Sequence, residues 1–365
     1  MIVLIAIFSL LAIAYGCLLT YWYILLLQVK PTSVMEAPPI KLSIVIPFRN
    51  EINEIKALID SLNRLEWDKN FLEIIFVSDY AHSTVFNRVN EETKKLIFDH
   101  RVVENILSQG KRHALKCGIS IANANYIITI DADVILPPLL LKFYNSYIRN
   151  GNKLVAGPVL FNKSSNFVQK LAAAQNVSLM GIATALFQQG SPLFCSGANM
   201  CFSKSVFEQL GGFDEVDYKG GDDVFVLQKF FKHHQNDIAF ISHSDAVVFT
   251  PAKHSLKAFI QQQLRWSGKI GKHMGKRSVA IALVIAFFHW AIGVAFLLSL
   301  VDVKYFLIGT FLFTFKCLVE NPLILKSHKI FGERIGILNL WMLQFAYIFF
   351  VIALTVLTPF KKSDW

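Results

Sequence analysis

The apolar positions of this chain fall into two patterns, long uninterrupted runs at both ends and short strand-like or helix-spaced segments between them. Residues 1 to 27 carry no charge and are long enough to cross a bilayer. A signal peptide needs a basic leading region and a shorter apolar core, so the run reads as an uncleaved transmembrane anchor over 1–28. A linker with Pro31, Pro38 and Pro39 follows over 29–40. Three further runs, at 279–300, 305–325 and 335–358, can each span, which makes 278–358 a block of three transmembrane helices before a tail at 359–365.

Residues 41–253 alternate strand and helix signals. LSIVIP at 42–47, LEIIFV at 72–77 and the β-branched run at 127–130 predict buried parallel strands. A weaker strand is predicted at 101–105 and another at 153–159. Helical patterns run from about 51 to 65 and over 110–122, 166–187, 204–210 and 224–232. This alternation predicts an α/β domain, a Rossmann-like, mostly parallel sheet with right-handed crossovers. Residues 254–277 stand apart as an amphipathic interface helix. Leu256, Phe259, Ile260, Leu264 and Ile270 form its stripe, and Lys269, Lys272, His273, Lys276 and Arg277 make it basic, a pattern suited to a membrane surface.

Composition agrees with a membrane protein. Of 365 residues 54% are hydrophobic and 13% aromatic, too apolar for an ordinary soluble chain. The net charge is +10, but no nucleic-acid motif accompanies it, so the excess reads as cytoplasmic-side cations facing anionic lipid. Lys30, Lys41, Lys326, Lys329 and Arg334 place residues 36–277 in the cytoplasm and both termini outside, with Lys361 and Lys362 pulling the other way. The setting expected is a bacterial inner membrane. Cysteines 17, 117, 195, 201 and 317 show no C-x-x-C spacing, which excludes a zinc site or a disulfide framework and fits a reducing compartment. Lys316 and Glu320, four apart inside an apolar run, read either as an ion pair near an interface or as a polar path for a lipid head group.

The strand at 127–130 runs into Asp131-Ala-Asp133 and then a double proline. Ligands of open α/β sheets bind beyond the carboxyl ends of strands, so both acids should line a cleft. Two carboxylates one residue apart are hard oxygen ligands suited to Mg²⁺ or Mn²⁺ shared with phosphates, or else simply a solvated strand end. Asp79 ends the second strand, Asp222 and Asp223 open a helix, and Gln262, Arg265 and Trp266 form Q-x-x-R-W. Together these supply a metal site, a base for a hydroxyl proton, holders for a leaving group and an aromatic platform. Asp223 can also be read as a helix N-terminal acid, and Trp266 as a membrane-interface aromatic. His243 and His254 are weak candidates as metal ligands.

SIVIPFRNE at 43–51, FVSD at 76–79, GKRHAL at 110–115 and ITIDADV at 128–134 are followed by FCSGANMCFSKSVFEQLGGFDE at 194–215, GDDVFVLQKF at 221–230 and QQLRW at 262–266. In this order the motifs resemble the family 2 glycosyltransferases of GT-A fold, of the membrane-bound type that includes cellulose, chitin and hyaluronan synthases. Ceramide glucosyltransferases are also similar. The resemblance implies an inverting transfer from a nucleotide diphosphate sugar, a UDP-sugar first, to a glycan or lipid acceptor, with Mg²⁺ or Mn²⁺. It implies that Pro47, Arg49, Glu51, Asp79, Lys111 and Asp131 contact the nucleotide and that Asp133, with Asp131, holds the metal. Asp223 would be the general base beside Asp222. Gln262, Arg265 and Trp266 would hold diphosphate and acceptor, and Cys195 would lie where the acceptor approaches, or be a small buried hydrophobe. Ser78 stands where the family usually has a first aspartate, and Tyr80-Ala81-His82 departs from its usual small residues, which bears on the choice of nucleotide. The competing reading is a non-catalytic transferase-like scaffold or a subunit of a polysaccharide export complex. Expected partners are the donor, the acceptor and membrane lipid, with a homo-oligomer or an export partner, and no nucleic acid.

Overall fold

The computed structural model describes residues 2–105, 108–162, 166–214, 221–267 and 275–358. The chain divides into two compact units, one of residues 30–162 and 187–251, the other of residues 1–29, 163–186 and 252–365. Helix α1 (Ile2–Gln28) belongs to the second. The first is built from β1 (Leu42–Phe48), α2 (Ile55–Leu62), β2 (Leu72–Ser78), α3 (Ser83–Thr93), β3 (Asp99–Glu104), α4 (Lys111–Ile121), β4 (Tyr126–Thr129) and α5 (Leu140–Arg149). It continues through β5 (Leu154–Ala156) and β6 (Val159–Phe161). After α6 (Phe167–Gln188), most of which lies in the second unit, come β7 (Met200–Ser203), α7 (Lys204–Gln209), α8 (Asp222–His233), β8 (Ile238–Phe240) and β9 (Val248–Thr250).

Seven strands form one sheet in the order β3-β2-β1-β4-β7-β5-β8. All pairings are parallel except those of β7 with β4 and β5. Every residue of β1 and β2 is buried, as expected of strands covered on both faces. Ile44, Ile46, Ile74 and Phe76 share a core with Ile55, Leu58, Ile59 and Leu62 of α2. On the other face α4 lies close to the sheet at Gly118, where a Cβ would stand 2.4 Å from Val45 Cγ1 and 2.9 Å from Val77 Cγ2. A side chain there would lift α4 off the strands. The chain leaves β1 for β2 and β3 on one side and returns to β4 on the other, so a topological switch point falls between β1 and β4. Pro47 is tolerated in so central a strand because β4 pairs only with Leu42 to Val45, and Pro47 lies past its end.

The single strand expected at 153–159 is two strands in two sheets. β5 joins the large sheet, and β6 pairs with β9 in a separate parallel pair. Gly157-Pro158 makes the break, since Pro158 has no N–H to continue a ladder. Asn199 binds both sides of it. Its Nδ2 donates to Pro158 O at 2.9 Å and to Ala246 O at 3.2 Å, and its Oδ1 accepts from Tyr144 Oη at 2.6 Å.

The second unit holds α1, most of α6, α9 (Leu256–Ser267), α10 (Gly275–Leu298), α11 (Lys304–Ile330) and α12 (Ile337–Leu357). Helices α1, α10, α11 and α12 are long and apolar enough to cross a membrane. A polar cluster joins all four. Lys316, fully buried near the middle of α11, donates to Glu320 Oε2 at 2.8 Å and to the Gln344 side chain of α12. Tyr15 of α1 donates to Glu320. Gln344 Nε2 donates to Asn321 Oδ1 at 2.8 Å, and His289 Nε2 of α10 stands 4.0 Å from Glu320 Oε1. The ion pair therefore sits inside the bundle and not at a helix end. In α9 the buried positions are Phe259 and Gln263, while Leu256 of the expected stripe is exposed. Phe259 stacks on Phe350 of α12 at 5.3 Å. Lys269, Ile270, Lys272, His273 and the tail at 359–365 lie outside the described residues.

Candidate active site

Three acidic motifs converge on residues 110–112, the start of α4. Asp79 follows β2 and is nearly buried, and its Oδ1 accepts from the backbone N–H of Gly110 at 2.7 Å. Gly110 has φ 137°, a conformation open to glycine at little cost, and so presents its N–H to Asp79. Lys111 pairs with Asp131. Arg112 Nε donates to Asp222 Oδ1 at 2.6 Å, with both side chains only 14% exposed. Partial desolvation opposes the charged form of Lys111, but Asp131, then Asp222 and Asp223, outweigh it and hold the ammonium's pKa above the ordinary lysine value.

Asp131 and Asp133 lie in the turn that follows β4. Ala132 and Val134 are buried in the core, and Asp131 and Asp133 remain partly exposed. Among the described residues no group of three or more His, Cys, Asp or Glu converges to close a metal cage. Two carboxylates at a strand end fit a hard divalent cation that completes its shell with phosphate oxygens, not one that needs an all-protein site. Asp223, second residue of α8, directs Oδ2 toward the N–H of Gly197 at 3.4 Å. The buried Cys195 places its thiol 3.6 Å from the Asp223 carbonyl oxygen.

The remaining candidates divide by what they touch. Glu51 Oε2 accepts from the backbone N–H groups of Arg49 and Asn50 at 2.7 and 2.9 Å, so its carboxylate closes the turn after β1. The Arg49 guanidinium donates to the Gln109 side-chain oxygen, next to Gly110. Gln262, Arg265 and Trp266 are half-buried on α9 in the other unit. His243 Nδ1 accepts from Asp245 N at 3.1 Å, and His254 Nδ1 meets Gln169 Nε2 at 3.1 Å, so both imidazoles serve local structure. Arg112 and the Gly110 N–H were missed as site groups. The signal was present, because two cations opening a helix oppose its dipole and need acidic partners.

Residues 43–211 match the family described as Glycosyl transferase family 2. This block is a glycosyltransferase family 2 domain. Its α/β sheet has the GT-A fold, and the structure aligns with the mannosyltransferase PcManGT from Pyrobaculum calidifontis, solved in complex with GDP-Man and Mn²⁺. The TM-score is 0.57 at 16% identity, covering 99% of this chain and 98% of that one. In sequence the chain is 28% identical over 275 residues to a probable glycosyltransferase of Sulfolobus acidocaldarius, covering 71% of this chain and 57% of the relative. It is 22% identical over 335 residues to the probable glycosyltransferase YdaM of Bacillus subtilis, covering 89% of this chain and 75% of that protein. The chain thus spans little more than half the length of the Sulfolobus relative. The family 2 match holds Pro47, Arg49, Glu51, Asp79, Lys111, Asp131, Asp133 and Cys195, whereas Asp222, Asp223 and the Q-x-x-R-W residues lie beyond its end.

Proposed function

We propose that this chain is a membrane-bound inverting glycosyltransferase that moves a sugar from a nucleotide diphosphate sugar, UDP-linked in the first instance, to a lipid or glycan acceptor. The observation that carries this reading is the convergence of the Asp79, Asp131 and Asp222 motifs on residues 110–112. A nucleotide site, a diphosphate site and a base site then lie around one helix start. Asp79 lies at the nucleoside end, and Lys111 faces the diphosphate. Asp131 and Asp133 would hold Mg²⁺ or Mn²⁺, which when bound offsets the charge of the leaving diphosphate. Asp223 takes the proton of the acceptor hydroxyl as its oxygen forms the new bond to the anomeric carbon. The bond from that carbon to the diphosphate breaks, and the nucleoside diphosphate leaves. Gln262, Arg265 and Trp266 serve the acceptor and diphosphate.

Four apolar helices and the basic residues beside them, Lys30, Lys41, Lys326, Lys329 and Arg334, favour an integral membrane protein with its catalytic unit on the cytoplasmic side. The test is nucleotide release by the detergent-purified protein with Mn²⁺ across UDP-glucose, UDP-N-acetylglucosamine and GDP-mannose, the last because the aligned mannosyltransferase carries GDP-Man. Release with one donor, and a product recovered with lipid, is the expected result. No release with any donor in the presence of membrane lipid overturns the reading.

A further inference from the structure

Residues Lys111 and Arg112 are neighbours in sequence, yet their charges go to different motifs. Lys111 reaches Asp131 at the end of β4, whereas Arg112 reaches Asp222, the first residue of α8. Asp222 and Asp223 open the first turn of α8. Its N-cap is Gly221, in a left-handed conformation with φ 81° and no side chain to cap the helix. Contacts at this turn include the Arg112–Asp222 bond at 2.6 Å, the Val224 N–H at 2.9 Å from Asp223 Oδ1, the Gly197 N–H at 3.4 Å from Asp223 Oδ2, and the Cys195 thiol at 3.6 Å from the Asp223 carbonyl. Of these the Arg112–Asp222 bond is the shortest and joins two opposite full charges, and charge-assisted bonds are about twice as strong as neutral ones.

We infer that Arg112 is a positioning residue for the transfer step: through Asp222 it fixes the first turn of α8 and so the place of the Asp223 carboxylate. Arg112 does so from the same helix start that binds Asp79 and Asp131, so the base is registered against the donor site by one rigid element. The inference rests on Asp223 being the base. It assigns the two adjacent cations opposite roles, Lys111 in donor binding and Arg112 in turnover.

The test uses the full-length protein in detergent with three variants, Arg112→Ala, Asp222→Ala and the double variant, together with Arg112→Lys and Asp223→Asn. Binding of UDP and of GDP, each with Mn²⁺, is measured by titration calorimetry, and turnover by nucleotide release from the donors named above. Arg112→Ala is expected to bind nucleotide within about twofold of the parent while turnover falls about ten- to a hundredfold, the scale of a misplaced reacting group. The double variant should lose little more than Asp222→Ala alone, because the two residues act as one unit. Arg112→Lys, which keeps the charge but lacks the Nε geometry, should recover part of the loss. Retained nucleotide binding shows that each variant is folded. A parallel fall of affinity and turnover in Arg112→Ala, or losses that multiply in the double variant, would overturn the positioning role. An active Asp223→Asn would instead remove the base assignment on which it rests.

Discussion

The Lys111 ammonium is paired with the Asp131 carboxylate, so the first residue of α4 and the end of β4 share one ion pair. Asp133, two residues on, is partly exposed. Asp133→Ala is therefore expected to weaken Mn²⁺-dependent nucleotide binding at least tenfold, while binding measured with EDTA changes little. Equal affinities with and without metal in parent and variant would take Asp133 out of the metal site.

Asp223→Asn keeps the size of the side chain and its contact with the Gly197 N–H side of the site, but it cannot take a proton. Turnover should fall on the order of a hundred- to ten-thousandfold, the usual contribution of a general base, with nucleotide affinity near that of the parent. Steady-state nucleotide release and calorimetry on the same preparation separate the two.

Trp266 is half-buried on α9. Replacement by alanine should slow transfer to acceptor more than donor hydrolysis in the absence of acceptor. If hydrolysis suffers more, the indole serves the donor instead.

Glu73 of β2 gives a pH signature outside the membrane helices. Burial opposes its charge, but bonds from Ser43, the Asn123 N–H and Arg101 prevail and hold the carboxyl below the ordinary glutamate value of 4.5. A depressed folded pKa stabilises the fold above that ordinary value, and this stability is lost as pH falls through the lower folded one. Glu73→Gln should cost about 1–3 kcal/mol at pH 7, the range for an orphaned partner in a buried network. Urea unfolding at pH 7 and pH 4 checks the sign: the parent should lose more stability than the variant on acidification. Equal losses would show that Glu73 is not the group responsible.

Lys316 and Glu320 should behave as a unit. Lys316→Met alone leaves a carboxylate without its cation in the bundle interior and should cost about 3–5 kcal/mol. Lys316→Met combined with Glu320→Gln should recover most of that loss, read as the thermal midpoint of the detergent-solubilised protein. A double variant less stable than the single one would contradict the pairing.

How far the chain could be read in advance varies by element. β1, β2 and β4 are runs of apolar and β-branched residues, and α1, α10, α11 and α12 are long apolar runs, so each carries its own signal. β7 has no such signal. Its antiparallel place between β4 and β5 comes from pairing partners far apart in sequence. Helix α5 follows a double proline, which masked its buried face of Leu140, Leu141, Phe143, Tyr144 and Ile148. At the candidate site the carboxylates stood out because acids at strand ends are few. Arg112 did not, because its meaning depends on Asp222, 110 positions away. Residues 153–159 read as one strand because alternation alone carries no information about which sheet a residue joins.

The four-residue spacing of Lys316 and Glu320 also bears on how the protein is made. Both charges lie on one helix, so they can neutralise one another as soon as that helix winds, before any neighbour is available. The segment can then leave the insertion machinery as a nearly neutral rod despite two ionisable residues. Tyr15 lies on a helix made before α11, and Gln344 on one made after it. The cluster is thus completed only once α12 has followed, and a chain truncated before α12 would leave the ammonium without its amide acceptor.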